Sequence, residues 1–203
     1  LGKIKGFGKR KERIWCCIAS GPSLTQSDCD YIRSLKIKTI VVNDGYRIAP
    51  WADILYACDA DWWDTHYQAA VKAFKGKKYT KTDKNPALNA AKDYKLQRIK
   101  GENADGLGEK SLHYGKNSGY QAINLAYILG ATKIILLGYD MGVTHQTHWF
   151  GDHPKSLQKN SPFSDFISAF NRMKPENYGL EIINCTRQTA LTCFPRVALE
   201  NVF

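Results

Sequence analysis

Apolar residues along this chain fall in short blocks separated by polar, glycine-rich stretches, and the blocks are of two kinds. Residues 14–19, 39–42, 54–58, 133–137 and 180–184 are largely unbroken apolar runs, several rich in Ile and Val. Runs of that length predict strands buried on both faces. Residues 27–35, 62–74, 118–129 and 163–173 have helical character instead. Ile32 and Leu35 share a face in the first, as do Trp63, Tyr67, Ala70 and Phe74 in the second and Ile123 and Tyr127 in the third. Ser118 is the expected N-cap of the third helix, and Gly130 supplies its stop. Residues 75–100 are polar and basic and are the hardest to assign, and residues 191–203 close the chain.

Strands alternating with helices predict an α/β fold: a Rossmann-like, mostly parallel sheet with helices on both faces. The 203 residues suit a single such domain over 14–203, with a basic arm at 1–13 and a small basic insertion or lid at about 75–110. There is no internal repeat and no low-complexity linker.

Composition adds exclusions. At 43% hydrophobic and 24% charged, the chain is neither fibrous nor disordered throughout. No apolar run approaches the roughly 20 residues that cross a bilayer, so no transmembrane segment is expected. The start of the chain lacks the apolar core and small-residue cleavage site of a signal peptide. Six cysteines occur without a C-x-x-C pair, and Cys16, Cys17 and Cys58 sit in strand-like runs as small hydrophobes. These features point to a reduced, cytoplasmic protein.

Charge changes the picture more. Lys and Arg number 29 against 19 Asp and Glu, a net +10. Residues 1–13 hold six basic and one acidic residue and residues 72–100 hold ten and two, a balance of +13 that leaves −3 elsewhere. The excess is therefore local, on the expected arm and insertion. It suits attraction of a polyanionic acceptor such as nucleic acid or an acidic glycan.

Ligands of open parallel sheets bind beyond the carboxyl ends of the strands. Those ends read Ser20-Gly21-Pro22-Ser23, Asn43-Asp44-Gly45, Asp59-Ala60-Asp61, Gly138-Tyr139-Asp140 and Asn184-Cys185-Thr186-Arg187. Gly21 allows close backbone approach, Pro22 is pre-set for a helical first turn, and free N–H groups there favour a phosphate. Asn43 and Asp59 offer donors and acceptors for a base or ribose. Asn117, Ser118 and Gly119 open a further helix toward the same rim. Asp59, Asp61 and Asp140 together have the hard oxygens that Mg²⁺ prefers, although Asp61 also suits a helix cap. His145, His148 and His153 fall within nine residues, beside Trp149, Phe150 and Asp152. Histidine is the usual general base. Arg187 and Arg196 each suit an anion clamp or a structural ion pair.

Ala19-Ser20-Gly21-Pro22-Ser23-Leu24, then Asn43, then Asn117-Ser118-Gly119 leading to Asp140, resembles the bacterial sialyltransferase-like glycosyltransferases that use CMP-sialic acid. It equally resembles the 6-hydroxymethylpterin pyrophosphokinase-like proteins, which share the Rossmann-like fold and the Gly-Pro-Ser-Leu turn. The segment from Tyr139-Asp140-Met141 to His153-Pro154-Lys155 also looks like a class of phage and prophage proteins, for which the location would be a bacterial host cell. The first resemblance implies a nucleotide-sugar donor held by Ser20, Gly21, Pro22, Ser23, Asn43, Asp59, Asn117, Ser118, Gly119 and Asp140, with no cofactor. It implies His153 as general base, with His148 in reserve and Asp152 as an extra residue in the family's His-aromatic-x-Gly-His segment. The family usually has Asn where Ser20 and Asp59 stand here, and Asp59 repels a phosphate unless a cation intervenes. That favours the second resemblance, which implies Mg²⁺ on Asp59, Asp61 or Asp140 and ATP-dependent transfer to a hydroxymethyl compound. A non-catalytic phage accessory protein that binds nucleic acid is the third expectation.

Overall fold

Eight strands form one sheet, and every pairing in it is parallel. They are β1 (Ile14–Ile18), β2 (Lys38–Val42), β3 (Ile54–Tyr56), β4 (Lys77–Thr82), β5 (Gln97–Glu102), β6 (Leu112–His113), β7 (Lys133–Leu137) and β8 (Glu181–Asn184). The computed structural model describes residues 12–142, 146, 148–151, 157 and 161–203. Four α-helices accompany the sheet: α1 (Gln26–Ser34), α2 (Ala60–Ala73), α3 (Ser118–Ile128) and α4 (Phe163–Asn171). This is the expected Rossmann-like α/β architecture.

The strand order is β6-β5-β4-β3-β2-β1-β7-β8. The chain steps outward from β1 to β6, then α3 carries it back to β7 on the other side of β1. The order reverses between β1 and β7, which makes their carboxyl ends the topological switch point, where sheets of this kind bind ligands. As the return crossover, α3 is buried at every position from Ser118 to Ala126. It packs with Tyr56, Leu136 and Phe170 on one face of the sheet, while Ile18, Leu55, Trp63 and Phe74 build the core on the other.

The five apolar runs are β1, β2, β3, β7 and β8. The stretch expected as an insertion or lid supplies β4 and β5 and the approach to β6. Its strands were obscured because only Thr80 of β4 and Gly101 of β5 are buried. Residues 1–11 of the expected basic arm lie outside the described residues.

Three helix starts differ from expectation. The helix α1 begins at Gln26, because Thr25 and Asp28 form a reciprocal capping box; Pro22 lies ahead of it in the turn rather than in a helical first turn. The helix α2 begins at Ala60, so Asp61 sits inside its first turn and does not cap it. The N-cap of α3 is Asn117, whose Oδ1 accepts from the Tyr120 N–H at 2.8 Å. The expected cap, Ser118, spends its hydroxyl elsewhere. All six cysteines are unpaired, and all but Cys193 are buried.

Candidate functional site

The β1 turn is built against the β7 turn. The Gly21 N–H donates to the Gly138 carbonyl at 2.8 Å, and the Ser23 N–H donates to Asp140 Oδ2 at 2.8 Å. A Cβ on Gly21 would lie 2.0 Å from Asp140 Oδ1 and 2.6 Å from the Gly138 carbonyl oxygen. Glycine at 21 is thus required by this carboxylate. Asp140 Oδ1 is buried and has no hydrogen-bond partner among the described residues. Burial pushes the Asp140 carboxyl above the usual aspartate value, against the opposing effect of the Ser23 hydrogen bonds.

That upward shift has a sign. Folded protein retains the proton where the unfolded chain has lost it, so the stabilisation from this group declines as pH rises from about 4 through the folded value. Asp140→Asn keeps an acceptor for Ser23 and has no proton to lose. Urea unfolding between pH 4 and 7 should show the variant losing less stability with rising pH than the wild type. Parallel curves would mean that Asp140 titrates normally.

The loop after β8 covers the other side of this turn. Thr189 Oγ1 donates to the Tyr139 carbonyl at 2.6 Å, the Ala190 N–H to the Asp140 carbonyl at 2.9 Å and the Gln188 N–H to Ser23 Oγ at 3.3 Å. Arg187 makes a bidentate pair with Asp28, at 2.9 and 2.8 Å. Arg196 donates to the carbonyls of Thr186 and Arg187, both at 3.1 Å. Both arginines thus take structural partners. A cleft of about 400 Å³ opens beside them, lined also by Asp28 and Glu200.

Toward β3 lies the first turn of α3. Ser118 Oγ donates to Cys58 Sγ at 3.0 Å and accepts from the Cys58 N–H at 3.4 Å, which locks the helix start to the end of β3. Burial raises the Cys58 thiol to about 12, so it stays protonated at neutral pH. Gly119 is pressed against Tyr139, whose hydroxyl donates to the Gly119 carbonyl at 3.0 Å. Between these elements stands Asn43, directly after β2. Its φ is +50°, a strained conformation for a side-chain-bearing residue, and its buried Oδ1 has no partner among the described residues.

The expected residues are thus partly assembled. Gly21, Ser23 and Asp140 meet at the switch point, and Ser118 meets the end of β3. Three carboxylates do not converge: Asp59 and Asp61 are exposed around the start of α2 while Asp140 is buried between β1 and β7. Among the described residues no group of three metal-ligating side chains is close enough to hold an ion. The physical reason is that α2 starts at Ala60, so Asp59 and Asp61 lie on a helix start and not on one strand face. The α1 N-terminus does not offer an anion site either, because Asp28 already accepts from the Thr25 N–H at 3.1 Å and the Thr25 hydroxyl at 2.7 Å.

Of the histidine cluster, His145 and His153 lie outside the described residues, as does Asp152. His148 stacks on Phe150 with centroids 5.0 Å apart. The adjoining Trp149 N–H donates to the Ser20 carbonyl at 3.1 Å, which ties this segment to the β1 turn. The Arg47 guanidinium sits 5.8 Å from the Trp149 ring and 5.5 Å from Phe150. Reading the strand ends missed Arg47 and Cys58 as contributors.

No family model matches the sequence, and no curated protein matches it. A solved structure, that of the MAf glycosyltransferase from Magnetospirillum magneticum AMB-1, has a similar fold: the TM-score is 0.65 at 13% identity, over 95% of this chain and 34% of that one. The chain thus spans about a third of that protein's length. What the two share is a Rossmann-like α/β fold.

Proposed function

We propose that this protein is a nucleotide-dependent transferase, a glycosyltransferase that takes a nucleotide-sugar donor at the rim of the sheet, between the strand ends and the start of α3. Asn43 carries the reading. A strained residue with a buried, unsatisfied carbonyl oxygen at a strand end is stabilised by a ligand that supplies the missing donor. The amino group of a base or a ribose hydroxyl does so. The tight β1 turn at Gly21 and the start of α3 at Asn117 and Ser118 stand at the same rim of the sheet. The likeness in fold to a glycosyltransferase supports the reaction class.

In this reading a histidine of the 145–153 segment takes the proton from the acceptor hydroxyl as that oxygen attacks the anomeric carbon and the nucleotide leaves. His153 is the proposed base by the resemblance noted above, and His148, tied to the β1 turn through Trp149, is the nearest described candidate.

Thermal unfolding with CMP, CDP, UDP, ADP and ATP, each with and without Mg²⁺, tests the proposal. A ligand at a hundred times its Kd adds about 2.7 kcal/mol of stability, a shift of several degrees for a chain of this size. At least one pyrimidine nucleotide should give that shift without Mg²⁺, and Asn43→Ala should abolish it. A wholly silent series overturns the reading, and a response confined to ATP with Mg²⁺ replaces it with phosphoryl or pyrophosphoryl transfer.

A further inference from the structure

The β4 end of the same rim of the sheet carries a cation that the reading above does not use. Lys81 lies near the carboxyl end of β4. The β3–β4 register pairs Tyr56 with Tyr79, so Lys81 stands level with Cys58, on the same face of the sheet as Tyr56 and Tyr79, which pack toward α3. That face carries Cys58, which touches Ser118 at the start of α3. The Lys81 side chain is only 11% exposed. Its ammonium lies 3.5 Å from Asp83 Oδ2 and 5.3 Å from the centre of the Tyr114 ring.

The surroundings hold it there with unusual care. The Tyr114 hydroxyl donates to Asp83 Oδ2 at 2.6 Å, and the Asn85 N–H donates to Asp83 Oδ1 at 3.0 Å. The Asp83 N–H is tied to Asn89 Oδ1 at 2.6 Å. Gly101 makes room for the Tyr114 ring, since a Cβ there would lie 2.2 Å from it. Asp83 is therefore largely committed to Tyr114 and Asn85, and its contact with the ammonium is long. An ammonium has three donors, and among the described residues Lys81 has Asp83 as its single polar partner. Asp83 balances the charge, but the other donors of the ammonium have no protein partner among the described residues and are open to a ligand anion.

We propose that Lys81 is the cation of an anion subsite at the β4 end of the rim, taking a phosphate or sugar carboxylate of the bound nucleotide. Three strand spacings, about 14 Å, separate it from the Gly21 turn. That span suits the charged end of a nucleotide or acidic nucleotide sugar whose nucleoside lies nearer β1 and β2. Asp83 and Tyr114 act as positioning residues, holding the ammonium toward the start of α3.

The inference rests on the proposed nucleotide site, and calorimetric titration separates the two. Wild type, Lys81→Met and Lys81→Gln are titrated with cytidine and uridine, then CMP and UDP, then CMP-N-acetylneuraminate and UDP-glucuronate. Lys81→Gln retains hydrogen bonding near Asp83 and carries the test if the Met variant does not fold. The expected result is unchanged nucleoside affinity with about tenfold or greater loss for an anionic probe. A loss first seen with CMP or UDP places a phosphate on Lys81, and one first seen with the acidic sugars places a carboxylate there. Equal weakening of neutral and anionic probes, or no change in any, overturns the assignment while leaving the nucleotide site intact. Failure of every probe to bind wild type overturns both.

Discussion

Gly21→Ala is expected to destabilise the protein by about 3 kcal/mol and to abolish nucleotide binding. The new methyl would lie 2.0 Å from Asp140 Oδ1, 2.5 Å from its Cγ and 2.6 Å from the Gly138 carbonyl oxygen. None of these is the free end of a flexible side chain. Asp140 is held by the Ser23 N–H, and Gly138 by the hydrogen bond from Gly21 itself. The β1 and β7 turns must therefore part, which exposes the orphaned carboxylate and loses both bonds. Overpacking of this kind costs about 1–3 kcal/mol, and the broken turn places Gly21 at the top of that range. Gly179→Ala is the comparison: φ there is +60° but nothing lies within 4 Å of the added carbon. It should cost only about 1 kcal/mol, the penalty of a left-handed conformation. Equal losses in the two variants, read by urea unfolding, would mean that the β1 turn yields without cost.

Arg187→Ala should cost about 2 kcal/mol at pH 7, with a deficit that shrinks in acid. The guanidinium is 49% exposed but its partner, Asp28, is 5% exposed. Removing one member of a fully buried pair costs about 3–5 kcal/mol, and the exposure of Arg187 screens part of that. Burial alone pushes the Asp28 carboxyl up, but the bonds from Arg187 and Thr25 outweigh it and hold the group below its usual value. Stability from a carboxyl held low is present above the unfolded value, near 4, and is lost as pH falls through the folded value. Wild type therefore loses stability on acidification that the variant lacks, and their unfolding curves should converge as pH falls through the folded value. A deficit independent of pH would show that Arg187 acts by packing and not by charge. Because Arg187 carries the loop whose Gln188 and Ala190 cover the β1 and β7 turns, the variant should also weaken nucleotide binding.

The sequence disclosed the sheet centre more readily than its edge. Both faces of β1, β2, β3 and β7 are covered, so their residues are largely apolar and read as strands. Along β4 and β5 the residues that face the core, such as Tyr79 and Ile99, alternate with lysines and arginine. That polarity resembled a surface insertion. The same misreading concealed Lys81, a strand-end residue placed among lysines of a supposed lid. Helix faces were legible but their starts were not. Asn117 and Ser118 are both good caps, and Ser118 is diverted by Cys58, which arrives from 60 residues away. Thr25 and Asp28, by contrast, form a cap from residues three apart, and their spacing alone carries that signal.

Local pattern by itself determined the α/β class, the five apolar strands, the polar strand ends and the concentration of positive charge in two segments. These depend on the period of burial and on composition, both written along the chain. The tertiary structure decided which strand ends meet: Gly21 against Asp140, Ser118 against Cys58, Arg187 against Asp28, and Asp59 and Asp61 apart from Asp140. Each of these pairings follows from the strand order, which sets residues from 60 to 159 positions apart at hydrogen-bonding distance. A carboxylate's environment is a property of that order. Near an exposed helix start Asp59 remains in water, whereas under the β1 turn Asp140 is desolvated and Gly21 becomes indispensable.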